Sequence, residues 1–152
     1  VYPMTDLQSS GSRLDGGRAI TLRIPAKAEY ITLCRLALTG LSQLREIADD
    51  TMADLKLALT EAVSNSVRHA YGPGGSGHVD VRYELAPDRL GIEVVDDGEG
   101  FDPDEAPSFD GGELSEGGLG IAIIRSIADE LEIDSAPGRR GSRLRFVKHL
   151  HE

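Results

Sequence analysis

The chain has 152 residues, with 26 acidic and 16 basic side chains and a formal charge of −10. A single domain with one core is expected, and its acidic surface should repel a phosphate backbone, which excludes nonspecific nucleic-acid binding. The lone cysteine, Cys34, excludes an intramolecular disulfide framework and a cysteine-cluster metal site, and is expected to pack as a small apolar residue. No run approaches the ~18 apolar residues of a membrane span, and no basic-then-apolar leader is visible, so a soluble cytoplasmic protein without a membrane association is expected.

Residues 1–17 are polar and rich in Gly and Ser and read as a flexible tail, with Met4 placed as a natural start after three residues left by cloning. The domain proper is expected over residues 18–152. Residues 18–24 alternate, with Ile20, Leu22 and Ile24 on one face, and Pro25 ends the run, as in a half-buried strand. From Ala26 to about Ile47 a helix is predicted that is apolar almost all round. One stripe carries Ile31, Cys34, Leu38 and Leu41, the other Tyr30, Leu33, Ala37 and Leu44. Either both stripes meet one core or one of them meets a second protein.

Thr51 followed by Asp54 resembles a capping box, and Leu55, Leu59, Ala62, Val63 and Val67 have helical spacing, which predicts a second helix over about 52–70. Tyr71-Gly72-Pro73-Gly74-Gly75 stops it. Val79, Val81, Tyr83 and Leu85 then alternate with Asp80, Arg82 and Glu84, and a Pro87-Asp88 turn leads into a second strand over about 90–97, a β-hairpin. The stretch 98–118 is rich in glycine and acids and too long for an ordinary connection, so a functional loop is expected. A third helix over about 119–130, a strand over 131–135, a Pro137-Gly138 turn and an alternating strand with Leu144, Phe146 and Leu150 on one face complete the chain. Hairpins dominate and helices do not alternate with single strands. The economical arrangement is an α+β two-layer sandwich, a mixed and mostly antiparallel sheet with helices on one face.

Three places can carry chemistry. Glu61, Asn65 and Arg68 lie near one helical stripe, so a carboxylate and a carboxamide project together among the small residues Ala62, Ser64 and Ser66. A carboxamide oxygen is a hard neutral ligand suited to Mg2+, and a carboxylate beside it can deprotonate a hydroxyl. At the end of the hairpin, Asp96-Asp97-Gly98-Glu99-Gly100 puts an acid at a strand terminus with glycines behind it, where it could accept from the amino group of a base. Gly117-Gly118-Leu119-Gly120 opens the third helix, whose free N–H groups favour an anion. Each feature alone is also common as a solvated helix face, an acidic turn or a flexible helix entry.

In that fixed order, LKLALTEAVSNSVRHAYG, VVDDGEGFDP and GGLGIAII resemble the N box and the two glycine boxes of the GHKL ATP-binding superfamily, which includes gyrase, histidine kinases and mismatch-repair ATPases. The short chain, with a helix before the N box, is similar to the bacterial anti-sigma-factor serine/threonine kinases over about 18–150. The resemblance implies the Bergerat-type ATP-binding fold, with ATP and Mg2+ as cofactors and residues 102–117 as a lid over the phosphates. It implies Glu61 as the general base, Asn65 as the Mg2+ ligand and Asp96 as the acceptor for the adenine amino group. Gly98 and Gly100 would shape the adenine pocket, and Gly118, Leu119 and Gly120 would lie by the phosphates. Ser142 stands where relatives usually carry Gly-Thr near the adenine, and phosphate contacts of Arg68 or His69 are left open.

The function implied is an anti-sigma factor that sequesters an RNA polymerase sigma factor and phosphorylates an anti-sigma-factor antagonist on Ser or Thr, working as a homodimer. The P-loop and dinucleotide-fold glycine patterns are absent from the sequence. Two alternatives stand beside this reading. One is an ATP-sensing GHKL binding module without kinase activity. The other is a histidine-kinase-type catalytic domain, against which His69, His78, His149 and His151 all lie outside the first helix.

Overall fold

The computed structural model describes residues 17–70, 77–104, 109–110, 113–114 and 116–151. Strand β1 (Arg18–Pro25) runs through one 3-10 turn (Ala28–Tyr30) into helix α1 (Ile31–Leu41) and the long helix α2 (Asp49–Ala70). Strands β2 (His78–Ala86) and β3 (Arg89–Glu99) form the expected hairpin. The short strands β4 (Phe109–Asp110) and β5 (Glu113–Leu114) precede α3 (Glu116–Ile127), β6 (Glu130–Asp134) and β7 (Arg140–His149). One sheet has the order β1-β2-β3-β7-β6, and all its pairings are antiparallel.

The period of two sorts the sheet into faces. Val79, Val81, Tyr83 and Leu85 of β2, Leu90, Ile92 and Val94 of β3, and Leu144 and Phe146 of β7 are buried against the helices. The helices supply Cys34, Leu38 and Leu41 from α1, Leu55, Leu59 and Val63 from α2, and Ile121 and Ile124 from α3 to the same core. Burying each large aliphatic or aromatic side chain contributes about 1.5–3 kcal/mol, so this layer is the main source of stability. Tyr83 keeps its polar end satisfied inside it by donating to the Cys34 carbonyl at 2.7 Å.

Four local expectations differ from what is observed. The first helix is shorter than its apolar pattern, because 3-10-type bonds tighten its end. Ser42 and Gln43 donate to Thr39 and Gly40, and the Ser42 hydroxyl also donates to the Thr39 carbonyl at 2.7 Å. The loop after it is tied to the β2–β3 turn by Arg45, which donates to the Pro87 carbonyl at 2.7 Å. Thr51 caps nothing, since α2 already starts at Asp49. Helix α3 lies earlier than expected, with the glycine cluster inside its first turns. Asp129 is taken by the sheet, where its amide donates to the Val147 carbonyl and its carboxylate accepts from the His149 amide. Glu84, placed by alternation on the outer face, is only 3% exposed, between Arg82 and Arg145 at 3.6 and 3.8 Å. Gly91 lies opposite it and makes this possible, because the Arg145 guanidinium lies over the space a side chain there would fill.

The two stripes expected of the first helix are not cleanly separated: Cys34, Leu38 and Leu41 are buried and Ile31, Tyr30 and Ala37 pack partly buried against the same core, whereas Leu33 (47%) and Leu44 (46%) are exposed, as are Leu36 (60%) and Leu57 of α2 (46%). The stretch 1–16 read as a tail lies outside the described residues, and so does much of the stretch read as a lid. In the latter, 109–110 and 113–114 pair as β4 and β5.

Candidate functional site

The site is built where the C-terminal end of β3 meets the middle of α2. Alternation along β3 turns Asp96 inward, and it is 6% exposed. Its Oδ2 accepts from two buried hydroxyls, Ser66 of α2 at 2.8 Å and Ser142 of β7 at 2.5 Å, and its Oδ1 accepts from the Gly98 amide at 3.0 Å. A carboxylate offers about four acceptor positions, so roughly one on Oδ1 is left. The ladder explains the placement. Asp96 is in register with Ser142, after which the β3–β7 pairing shifts before Glu99. A bulge of this kind re-aims side chains.

The glycines serve different ends. A side chain at Gly100 would stand 1.9 Å from the Ala136 carbonyl oxygen and 2.7 Å from that of Arg139, so this glycine lets two loops close on one another. The Gly100 amide donates across the same contact to Arg139 at 3.0 Å. Gly141 has a φ of 86°, which only glycine adopts without strain, directly before Ser142. Arg140 grips the exposed Asp97 through two hydrogen bonds of 2.9 and 2.8 Å and thereby holds its carboxyl below the usual carboxylate range.

Asn65 lies one residue before Ser66 and is 3% exposed, and its Oδ1 is buried without a hydrogen-bond partner. An orphaned acceptor of this kind is costly unless something fills it. Glu61, one turn earlier on α2, is half-buried, and its Oε2 lies against Gly120 of α3. Gly118, Leu119 and Gly120 therefore all sit in the first turns of α3, which brings Gly120 to Glu61. One turn after Asn65, His69 stacks on Phe101 with ring centroids 5.7 Å apart. Among the described residues no cluster of three or more His, Cys, Asp or Glu side chains could hold a metal. A cation at Asn65 would draw its other ligands from water and phosphate oxygens, the habit of Mg2+.

The fold thus brings Glu61, Asn65, Asp96, Gly98, Ser142 and Gly120 to one end of the sheet, and it uses Gly100 to close the loop behind them. Two contributors escaped the sequence reading. Ser66 reads in the sequence only as a small residue beside Asn65, because its partner Asp96 is 30 residues away, and Phe101 carries no signal. An open depression of about 700 Å³, lined by Arg18, Leu44, Arg45, Leu85 and His151 among others, lies at the opposite end of β2 and holds none of these residues.

A carboxylate with one acceptor left stands at a strand end, and an amide oxygen without a partner stands on the helix packed against it. Residues 24–148 match the family of histidine kinase-like ATPase domains. The chain is 38% identical over 127 residues to the serine-protein kinase RsbW of Bacillus velezensis, covering 78% of this chain and 79% of that protein. It is 36% identical over 138 residues to the serine-protein kinase RsbW of Staphylococcus aureus, covering 85% and 87%. The crystal structure of the RsbU and RsbW domains of a Mycobacterium tuberculosis protein shares the fold, with a TM-score of 0.64 at 20% identity. That match covers 88% of this chain, which spans 32% of the other. The chain belongs to the histidine kinase-like ATPase family, among relatives of the RsbW serine-protein kinase type. Membership implies the use of ATP.

Proposed function

We propose that this protein is an anti-sigma factor with Mg-ATP-dependent serine/threonine protein kinase activity, which sequesters an RNA polymerase sigma factor and phosphorylates an anti-sigma-factor antagonist. The observation that carries the reading is Asp96, pinned by Ser66, Ser142 and Gly98 so that one acceptor position remains for the amino group of adenine. The unpartnered Asn65 oxygen supports a Mg2+ ligand there. Bound Mg2+ supplies charge neutralisation on the transferring phosphates.

The chain's own residues do the positioning. Asp96 selects and orients the base, Gly98 and Ser142 hold Asp96, and Gly118, Leu119 and Gly120 present the first turns of α3 toward the phosphates. Glu61 takes the proton of the partner's hydroxyl. Leu33, Leu36 and Leu57 leave apolar surface open on the helical layer, which supports a protein-binding role and a homodimer. Among the described residues no helix is long and apolar enough to cross a membrane, and we place the protein in the cytoplasm with no direct role for nucleic acid.

The test is transfer of label from radiolabelled ATP, with Mg2+, to purified candidate antagonist proteins. Wild type is expected to label a serine or threonine, and Glu61→Gln to bind ATP without transferring it. Normal transfer by Glu61→Gln would remove the general-base role. Saturable ATP binding without transfer to any candidate would instead favour a nucleotide-sensing module.

A further inference from the structure

We propose that the depression at the end of β2 remote from Asp96 binds a small organic monoanion, a single carboxylate carried on an apolar body. Neither Asp96 nor Asn65 takes part in it.

The first sign is in β1. Its core-facing series is Arg18, Ile20, Leu22 and Ile24, so the same alternation that buries Ile24 puts a guanidinium on the helix side of the sheet. Arg18 stands opposite Leu85 in the β1–β2 ladder, and directly opposed residues project from the same face. The helical layer is interrupted here. Helix α1 closes at Leu41 and α2 opens at Asp49, and the loop between them lines the depression instead. Among the described residues no carboxylate pairs with Arg18.

The depression holds about 700 Å³, within the ~300–1,000 Å³ of small-molecule sites. Leu85 and Ala86, themselves buried, line it together with the exposed Leu44 and Pro87. Its walls are fastened to one another. Arg45 donates from Nε to the Pro87 carbonyl at 2.7 Å and from Nη1 to the Glu46 carbonyl, and the Leu150 amide, next to His151, donates to the Asp88 carbonyl at 2.8 Å. The Arg45 guanidinium is thereby held in one orientation with about three of its five N–H groups left. Holding a donor in place lowers the cost of ordering it on a ligand.

Charge selects the ligand. The chain carries −10, yet this depression gathers Arg18 and Arg45 against a single acid, Glu46, with His151 as a further polar group. One positive charge is left over, which a monoanion balances and a phosphate dianion exceeds. A guanidinium fork matches the two oxygens of a carboxylate in one plane, and the apolar lining suits the rest of the molecule.

The probe is octanoate, titrated calorimetrically into the full chain at low salt, with octanol, acetate and inorganic phosphate as the other arms. Octanoate is expected to bind saturably with a Kd below about 1 mM, and each of the other three at least about tenfold more weakly. Arg18→Ala, at an exposed position, should raise the octanoate Kd about 10-fold at an unchanged melting temperature. Leu44→Asp, which puts a like charge beside the ligand, should raise it by at least about as much. Arg35→Ala removes the same charge from α1 outside the depression and should leave the Kd within about twofold of wild type. In methyl NMR octanoate should shift the Leu44 and Leu85 resonances and leave those of Leu33, Leu36 and Leu57 in place.

No saturable octanoate binding, equal binding of octanol, acetate or phosphate, an unchanged Kd in Arg18→Ala or Leu44→Asp, an equal loss in Arg35→Ala, or shifts confined to Leu33, Leu36 and Leu57 would each overturn the assignment. Mutual exclusion of octanoate and Mg-ATP would place the probe at the nucleotide end of the sheet and overturn it too.

Discussion

Replacing Asp96 by Asn is the most direct probe of the site. Three donors already occupy the carboxylate, two hydroxyls on Oδ2 and the Gly98 amide on Oδ1, which leaves about one acceptor position for an adenine amino group. Asparagine keeps one oxygen, and its amino group can donate to Ser66 or Ser142, because a hydroxyl accepts as well as donates. Folding should therefore survive, with loss of no more than about 1–3 kcal/mol. A hydrogen bond to a charged partner contributes about 1.5–3 kcal/mol net. At about 1.4 kcal/mol per factor of ten, ATP affinity should fall roughly 10- to 150-fold. The assay is calorimetry with Mg-ATP on variants shown to be folded by their near-ultraviolet spectra. Inosine triphosphate, which carries an oxygen in place of the amino group, adds a second arm. It should bind wild type poorly, and the gap between the two nucleotides should narrow in Asp96→Asn. A folded variant that binds ATP within twofold of wild type, with discrimination intact, would refute the assignment of Asp96 to the base.

Three further predictions concern the scaffold. Glu84, 3% exposed between Arg82 and Arg145, should on replacement by Ala leave two guanidiniums unpaired and lose about 3–5 kcal/mol in urea unfolding, whereas an all-apolar replacement of the triad should be neutral or stabilising. A loss below about 1 kcal/mol for Glu84→Ala would show that the pair is screened by water. Gly100→Ala should destabilise by more than about 3 kcal/mol, because its Cβ would overlap a backbone oxygen at 1.9 Å. Gly40→Ala on α1 meets nothing within 4 Å and should stabilise by about 0.5–1 kcal/mol, so equal effects at the two sites would contradict the packing argument. Arg140 depresses the Asp97 pKa in the folded state, so its stabilising contribution is present above the unfolded value and is lost as pH falls through the folded one. Arg140→Ala should flatten the acid limb of stability below about pH 4, and an unchanged limb would remove Asp97 from it.

Residues that act through local chemistry were readable before any fold was known. The alternation around Val79 to Leu85 depends only on a period of two, and the spacing of Glu61 and Asn65 only on a helix. Both survive because the core needs the same periodicities that mark them. The glycines of the site were readable as a group but not by neighbour. Gly100 faces the Ala136 and Arg139 carbonyls and Gly120 faces Glu61, partners far away along the chain. The limits of α1 were unreadable for a related reason, because apolar residues continue past Leu41 while the hydroxyl of Ser42 and the reach of Arg45 to Pro87 close the helix.

Composition and local pattern by themselves determined the class of fold, the order of its elements and the grouping of Glu61 with Asn65 on one helical stripe, because these follow from periodicity and from functional groups a few residues apart. Only the tertiary structure decided that Asp96 is satisfied by Ser66 and Ser142, 30 and 46 residues away, that Glu84 is buried, and that Gly120 meets Glu61. Hydrogen-bond satisfaction and steric contact depend on distance in space, and no local spacing encodes which strand or helix will come to stand beside another.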